Sequence, residues 1–478
     1  MMYCPYCKRE IEKDWRFCHY CNKPLITDID QELDKKLSQS YANTSFYIPD
    51  PLEEEIDFDS TVIQNEELET KLQEIEEELL ERERVGEKLG DLLLEKASLF
   101  FKKRDFDSSL KNLEYALKNF QEEGDLVKIS ICHNEMGLLY EERGFFDQAI
   151  YHFDDAFDIL NKLGDLQKIV QVLNNLGNVY YLIKDWKEAY NNYQKALELS
   201  EQQNLDYEVA KSSSNLVEIL FNFKDYDRIQ KILKNNLVFF KEHEDLYGII
   251  QTRIKFGKLY YILGKNYYEQ SYQNFIEVID LINMVKEQVS IYVKARLEWE
   301  CYLYLGKLNL LWDNDLEAED FLLKSLEAVR TFEIAENVKE GIVLENIGNM
   351  YTLRGEDQKA IEYYNFSREI YEKFGDHQKV AEMFSSIGKI YQEYLQNYTE
   401  SINAYNNSLK IFEELEDFQN AAEVLELISE IFLIENNRYK ALENLEQAKS
   451  YYKRLDNQVK LDLIKEKLIR LKGSSQSS

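Results

Sequence analysis

The sequence predicts an all-α fold, a right-handed α-solenoid of about nine helix pairs, and three observations support this prediction. All four prolines lie within the first 51 residues, so residues 52–478 contain none. Because proline breaks helices, so long a proline-free tract favours helix throughout. The tract is also rich in Leu, Glu, Lys, Ala and Gln, which are strong helix formers. The third observation is a pattern of small residues that returns about every 40 residues.

The N-terminal segment, residues 1–25, carries two Cys-x-x-Cys pairs, Cys4 with Cys7 and Cys18 with Cys21. Four thiolates in two such pairs are typical of a closed tetrahedral zinc site, because each pair presents two sulfur atoms on one tight turn. So short a module buries too little apolar surface to fold without a metal. We therefore expect one structural Zn²⁺ per chain, with a redox dithiol or a metal-free segment as the alternatives.

The cysteine pattern resembles the short zinc ribbons found at the ends of many prokaryotic proteins. In that family glycine usually follows the second cysteine of each pair, whereas this chain has Lys8 and Asn22 there. The resemblance implies a small structural module that makes a contact with protein or nucleic acid.

An acidic flexible linker is expected over residues 26–60, which include the run IPDPLEEEIDFD. Residues 61–85 predict an amphipathic helix, because apolar residues recur there at spacings of three or four: Leu68, Leu72, Ile75 and Leu79. This helix either covers the first repeat as an N-terminal cap or pairs with a second copy as a short coiled coil. The cap is favoured, since the ends of a repeat array need a cover.

Residues 86–455 contain a repeat whose unit is a pair of helices. Each copy has a small residue in its first helix and two small residues, seven apart, in its second, as in Gly177, Ala189 and Ala196. The residues at the first of these positions, which we call the anchors, are Ala97, Gly137, Gly177, Val217, Gly257, Gly306, Gly348, Gly388 and Ser429. The interval between anchors is 40 to 42 residues, except for 49 residues between Gly257 and Gly306. Small side chains are expected where helices approach closely. Tyrosines three residues after the anchors are expected to fill the adjacent gap: Tyr140, Tyr180, Tyr260, Tyr351 and Tyr391.

This pattern resembles the tetratricopeptide repeat. The 40-residue period and the Gly-Asp turns at residues 124–125, 164–165 and 375–376 are similar to the subclass in the Pins/LGN spindle-orientation adaptors and, more loosely, in kinesin light chains. In these turns we expect glycine to end one helix and aspartate to cap the next. The resemblance implies a scaffold that holds extended peptides in a concave channel.

The C-terminal segment is expected to close the array. Residues 456–472 predict a capping helix, and residues 473–478 a disordered tail. The apolar positions expected to face the array are Val459, Leu463, Leu468 and Leu471.

Composition and motifs exclude several functions. The net charge of −31 disfavours attraction to nucleic acid or anionic lipid. Neither a secretory signal nor an apolar run long enough for a membrane span is present, which predicts a cytoplasmic protein without a membrane partner. Nucleotide-binding and hydrolase motifs are also missing, so no enzyme is expected. The five histidines are interpreted as ordinary surface or packing residues, and the separate cysteines Cys132 and Cys301 as small apolar helix residues.

The residues expected to face the channel are a stripe of asparagines and lysines on the first helices. They are Asn174, Asn175, Asn178, Lys211, Asn215, Lys255, Lys258, Lys307, Asn346, Asn349 and Lys389. Asparagine can hold a peptide backbone by paired hydrogen bonds, and lysine can pair with a carboxylate or a phosphate. Glutamates share the stripe (Glu135, Glu218, Glu345, Glu382 and Glu430), so a solvated helix face is the alternative interpretation.

Together these features predict a non-catalytic adaptor that binds an extended, acidic segment of a partner protein, with the zinc ribbon as a second contact. The alternative is a transcription-associated or nucleic-acid-binding regulator, in which the ribbon touches polymerase or nucleic acid and the repeats sense a ligand. The acidic linker beside the ribbon argues against nucleic acid. The oligomeric state is left open.

Overall fold

The computed structural model describes residues 2–3, 10–11, 65–86, 88–103, 105–285, 291–332 and 338–473. The four cysteines of the expected zinc ribbon, the acidic linker and residues 474–478 lie outside the described residues. Two short strands near the N-terminus, β1 (Met2–Tyr3) and β2 (Glu10–Ile11), pair antiparallel with Met2 opposite Ile11. All other elements described are helical, as the composition predicts.

The chain divides into two compact units, residues 1–290 and 291–478. The division falls within the 49-residue interval between Gly257 and Gly306, where the repeat pattern is interrupted. Within each unit, consecutive helices pack against one another. The even-numbered helices from α2 to α18 are the first helices of their pairs, and each carries an anchor.

The first unit contains α1 (Asn65–Val85), α2 (Gly90–Lys102), α3 (Phe106–Glu123), α4 (Leu126–Glu142), α5 (Phe146–Leu163), α6 (Leu166–Leu182), α7 (Trp186–Gln203), α8 (Asp206–Phe223), α9 (Tyr226–Glu242), α10 (Leu246–Leu263) and α11 (Tyr268–Met284). A short 3₁₀ turn, Lys265–Tyr267, joins α10 to α11.

The second unit contains α12 (Ile291–Leu311), α13 (Asp315–Phe332), α14 (Val338–Leu353), α15 (Asp357–Lys373), α16 (His377–Glu393), α17 (Tyr398–Glu414), α18 (Phe418–Ile434), α19 (Arg438–Arg454) and α20 (Gln458–Gly473).

The Gly-Asp turns have the predicted conformation. Gly124 and Gly164 end their helices in the left-handed region, with φ of 72° and 75°. A glycine adopts this conformation without a Cβ clash, which is why it is common after a helix. Asp125 and Asp165 then accept hydrogen bonds from the backbone N–H three residues on and cap the next helix. The turn at Gly375 and Asp376 repeats this arrangement in the second unit.

The glycine anchors lie where first and second helices approach closely, but the predicted filling residue is wrong. At Gly137 a Cβ would lie 2.5 Å from the ring of Phe153, and at Gly348 one would lie 2.8 Å from the ring of Tyr364. The ring comes from the second helix, four residues after its first small residue. The tyrosines three residues after the anchors are not the rings that the missing Cβ atoms accommodate.

The predicted N-terminal helix packs on the first repeat. Leu68, Leu72 and Ile75 of α1 are buried in one cluster with Leu92 and Leu99 of α2. The apolar seam of α1 is therefore covered within the chain, which agrees with a capping helix.

The C-terminal helix α20 packs against the array through two of the four predicted positions, Leu468 and Leu471. Ile464 and Leu468 are buried in the cluster that includes Leu445 of α19, whereas Val459 and Leu463 are exposed. Positions 461, 464, 468 and 471 follow the helical period of one face, and Val459 and Leu463 fall outside it.

Candidate peptide-binding face

In the first unit, asparagines on successive first helices hydrogen-bond to one another. The Nδ2 of Asn175 on α6 donates to the Oδ1 of Asn134 on α4 at 2.9 Å. Between the next two first helices, α6 and α8, the Nδ2 of Asn215 donates to the Oδ1 of Asn174 at 3.3 Å. Asn174 also donates to the Oγ of Ser212, at 2.9 Å. We call these five side chains the asparagine ladder.

The ladder corrects the prediction for two of the stripe residues. Asn175 is fully buried and Asn174 is 5% exposed. Their amides are committed to neighbouring helices, and each such bond contributes about 0.5–1.5 kcal/mol net to stability. Asn174 and Asn175 thus join consecutive repeats instead of presenting free amides on the surface. Asn134 and Ser212, which the sequence analysis did not select, complete the set.

A second arrangement fixes Asn178 and Asn349, one in each unit. The hydroxyl of Tyr193 donates to the Oδ1 of Asn178 at 2.7 Å. The hydroxyl of Tyr364 donates to the Oδ1 of Asn349, also at 2.7 Å. The tyrosine hydroxyl is bonded to the carbonyl oxygen of each amide. The other polar group of the amide, Nδ2, is a hydrogen-bond donor. Asn178 is half-buried and Asn349 is exposed.

Two lysines of the stripe meet around one glutamate. The Nζ of Lys255 on α10 lies 3.1 Å from one carboxylate oxygen of Glu218 on α8, and the Nζ of Lys258 lies 3.6 Å from the other. Lys255 also donates to the backbone carbonyl of Ser214 at 2.6 Å. We call Glu218, Lys255 and Lys258 the lysine cluster.

The lysine cluster carries two positive charges and one negative charge. Burial raises the pKa of Glu218, but the ammonium groups of Lys258 and Lys255 outweigh this effect and lower the pKa to about 2. Glu218 is therefore ionised at neutral pH. The site therefore already holds one carboxylate in a partly desolvated place.

The remaining stripe residue of the first unit, Lys211, lies on α8. Its Nζ is 5.6 Å from the ring centroid of Tyr207, a cation–π distance, and the side chain is half-buried.

In the second unit the stripe residues have separate neighbours. The Nζ of Lys307 lies 5.0 Å from the ring centroid of Tyr304, and burial lowers the pKa of Lys307 despite the opposing charges of Glu345 and Glu300. Asn346 donates to the carbonyl of Ile342 in its own helix. Lys389 is exposed and lies 3.9 Å from a carboxylate oxygen of Glu393.

The structure therefore brings together one part of the stripe. Ser214, whose carbonyl Lys255 binds, is the chain neighbour of Asn215, so the ladder leads into the lysine cluster. A line of polar side chains runs across four first helices, α4, α6, α8 and α10. The sequence contained a signal for Asn134, because it precedes its anchor by three residues, as Asn174 does.

Pairs of helices that repeat at intervals of about 40 residues, with small residues at each close approach, define a helical-repeat protein. Residues 129–202 match the family model described as tetratricopeptide repeat. Residues 336–477 match the model described as soluble NSF attachment protein, SNAP. These matches support a tetratricopeptide-repeat protein.

Solved structures with a similar fold include the STAND protein with a tetratricopeptide repeat sensor, PH0952 from Pyrococcus horikoshii. It is 12% identical, with a TM-score of 0.52 over 79% of this chain and 55% of that one. The Rap protein complexed with competence and sporulation factor is 14% identical, with a TM-score of 0.48 over 80% of this chain and 99% of that one. The quorum sensor NprR from B. thuringiensis, in its apo form, is 14% identical, with a TM-score of 0.48 over 77% and 99%.

At 12% identity the similarity to the PH0952 structure concerns the fold alone. A search of curated proteins gave no match. Among the helices of the described ranges, none combines the length and apolar character that crossing a membrane requires.

Proposed function

We propose that this chain is a non-catalytic adaptor that binds an extended, acidic segment of a partner protein on the first helices of its first unit. The observation that carries the proposal is the lysine cluster, in which the ammonium groups of Lys255 and Lys258 already hold one carboxylate, that of Glu218, in its ionised form. A partner carboxylate would pair with Lys258, the more exposed of the two lysines, while Lys255 stays bound to Ser214 and Glu218.

Rigid placement supports the same proposal. The asparagine ladder fixes the spacing of α4, α6 and α8, so the groups on this face are positioned before a ligand arrives. Binding to a preformed face loses less conformational entropy than binding to a mobile one. Asn178, oriented by Tyr193, supplies a donor for a backbone carbonyl of an extended peptide.

A suitable probe is a labelled synthetic peptide with the sequence of residues 50–59, DPLEEEIDFD, which supplies an extended acidic segment. We expect it to bind the full chain in a salt-dependent manner, measured by fluorescence anisotropy. The substitution Lys258→Glu should weaken binding at least tenfold, and the same peptide with its acids replaced by amides should not bind.

The matched control is Lys231→Glu, because Lys231 is an exposed lysine on the second helix α9. It changes the net charge by the same amount but lies outside the lysine cluster. If Lys258→Glu and Lys231→Glu weakened peptide binding equally, the loss of affinity would follow from the change in net charge, which would contradict the proposed site.

The second contact that we propose is the N-terminal segment with one Zn²⁺ on Cys4, Cys7, Cys18 and Cys21. The spacing of the two Cys-x-x-Cys pairs supports this part of the proposal.

A further inference from the structure

Two histidines that are far from any metal motif in the sequence meet between α4 and α5. The Nδ1 of His133 lies 3.1 Å from the Nδ1 of His152. The same nitrogen of His133 lies 3.4 Å from the Oδ2 of Asp155, which follows His152 by about one turn of α5. One ligand atom from each of the three residues lies within 4.8 Å of the other two.

These distances suit a metal ion. Zinc binds imidazole nitrogen and carboxylate oxygen at about 2.0–2.2 Å, so two ligand atoms of a tetrahedral site are about 3.3–3.5 Å apart. Two of the three separations, 3.1 and 3.4 Å, are close to that edge length, and the third, between His152 and Asp155, is within 4.8 Å. Two imidazoles and one carboxylate also form the ligand set of zinc sites that keep a fourth position for water or another ligand.

Comparison with the other repeats shows that this set is particular to one helix pair. Four residues before the anchor, where α4 has His133, four of the eight other first helices carry a buried leucine: Leu93, Leu173, Leu344 and Leu425. At the position of His152, four of the eight other second helices carry an asparagine that donates to its own helix backbone: Asn112, Asn192, Asn274 and Asn444.

The positions themselves face each other elsewhere in the first unit. Arg253 and Glu277 occupy the places of His133 and Asp155 in the pair formed by α10 and α11, and they form an ion pair. The repeat therefore brings the positions of His133 and Asp155 close together, and the residue types at these positions decide what can bind there.

We propose that His133, His152 and Asp155 form a metal site for a divalent transition ion such as Zn²⁺, separate from the four N-terminal cysteines. The ion would join α4 to α5 across the helix pair, with a fourth position open on the partly exposed side of the cluster.

A neighbouring aromatic ring holds one of the proposed ligands in place. Tyr140 stacks on His152 with ring planes 7° apart and centroids separated by 5.4 Å, which fixes the orientation of that ring.

The test is the metal stoichiometry of the full chain, measured by equilibrium dialysis against Zn²⁺ after chelator treatment. The repeats supply matched replacements: His133→Leu reproduces the residue of Leu93, and His152→Asn reproduces that of Asn192. We expect each variant to bind one Zn²⁺ fewer than the natural chain, whether or not the cysteines are loaded. His243→Asn, at an exposed histidine after α9, should leave the stoichiometry unchanged.

Titration of the natural chain with Co²⁺ gives a readout that needs no variant. A site of two nitrogens and one oxygen should add visible d–d bands without the thiolate charge-transfer band that cysteine ligands produce. Equal Zn²⁺ stoichiometry in the natural chain and both variants, or a Co²⁺ spectrum with only thiolate-type bands, would overturn the proposal.

Discussion

Gly177 on α6 lies against the ring of Tyr193 on α7 so closely that a Cβ at Gly177 would be 2.5 Å from the ring's Cε1 atom. The relationship recurs at four further glycine anchors, each beneath an aromatic ring: Gly137 with Phe153, Gly257 with Phe275, Gly348 with Tyr364 and Gly388 with Tyr405. Where the anchor has a side chain, the partner position carries leucine instead: Ala97 with Leu113, Val217 with Leu233 and Ser429 with Leu445. Gly306, with Leu322, departs from this rule.

We expect Gly177→Ala to lower the free energy of unfolding by about 1–3 kcal/mol, because the added methyl group overpacks the contact with Tyr193. In a chain that already carries Tyr193→Leu, the same change should cost much less, since Ala97 and Leu113 show that alanine and leucine fit together here. Urea unfolding of the two single variants and the double variant measures the coupling. Additive costs would contradict a steric link between the two positions.

Lys224, which follows α8, adopts the left-handed conformation with φ of 57°. A side chain is disfavoured there, whereas glycine adopts this conformation at Gly124 and Gly164. We expect Lys224→Gly to raise the free energy of unfolding by about 0.5–1 kcal/mol. The control is Asn204→Gly after α7, where asparagine already tolerates this conformation and the gain should be smaller. A loss of stability in Lys224→Gly, measured by thermal unfolding, would show that the lysine makes a compensating contact.

The zinc prediction concerns Cys4, Cys7, Cys18 and Cys21. The double variant Cys18→Ser with Cys21→Ser should lose one bound Zn²⁺ per chain, as measured by elemental analysis after dialysis. Its helical circular dichroism should stay unchanged, because the repeats do not depend on this metal. Full retention of zinc by that variant would refute the four-cysteine site.

His152 predicts an acid-dependent loss of stability in the metal-free chain. Its pKa falls from 6.5 to about 4 on folding, chiefly through burial, with His133 lowering and Asp155 raising it. Between these two pH values the imidazole of residue 152 is protonated in the unfolded chain but not in the folded chain. The free energy of unfolding should therefore decrease as the pH falls from about 6.5 to about 4. His152→Asn should flatten this part of the curve, measured by chemical unfolding at a series of pH values. An identical dependence of stability on pH in both chains would contradict the assignment of this loss to His152.

The acidic segment, residues 50–59, is expected to compete for the same face as an acidic partner, because tethering gives it an effective concentration of about 1 mM. Deletion of residues 48–60 should therefore tighten binding of an acidic peptide, and Lys258→Glu should remove the difference between the two chains. Unchanged affinity on deletion, measured by fluorescence anisotropy, would leave the segment as a spacer.

Much of the fold could be predicted because its signals are local and repeated. The proline-free tract, the anchors and the Gly-Asp turns predict the all-helical pairs and the conformation at Gly124 and Gly164. The ring that meets five of the six glycine anchors was missed, although the sequence places an aromatic residue at a nearly constant position of the second helix, as in Phe153 and Tyr193. The packed face of α20 was predicted correctly at Leu468 and Leu471 but wrongly at Val459 and Leu463, which fit an apolar pattern that the packing does not use.

The candidate site was less predictable because position on a helix does not decide what a polar side chain binds. Asn174 and Asn178 were selected by the same rule, yet one bonds the next first helix and the other accepts from a tyrosine of its own pair. His133 and His152 are 19 residues apart in two helices, and neither matches a metal motif. Only the three-dimensional pairing of α4 with α5 brings their nitrogens together.

The glycine–aromatic contact has both members inside a single repeat, sixteen residues apart for Gly177 and Tyr193. Duplication or deletion of a whole repeat would therefore carry each such contact intact. The asparagine ladder is different, because Asn134 and Asn175 belong to different repeats. A rearrangement between those two repeats would leave the buried Nδ2 group of Asn175 without its acceptor, so inheritance of this contact requires that both repeats stay adjacent.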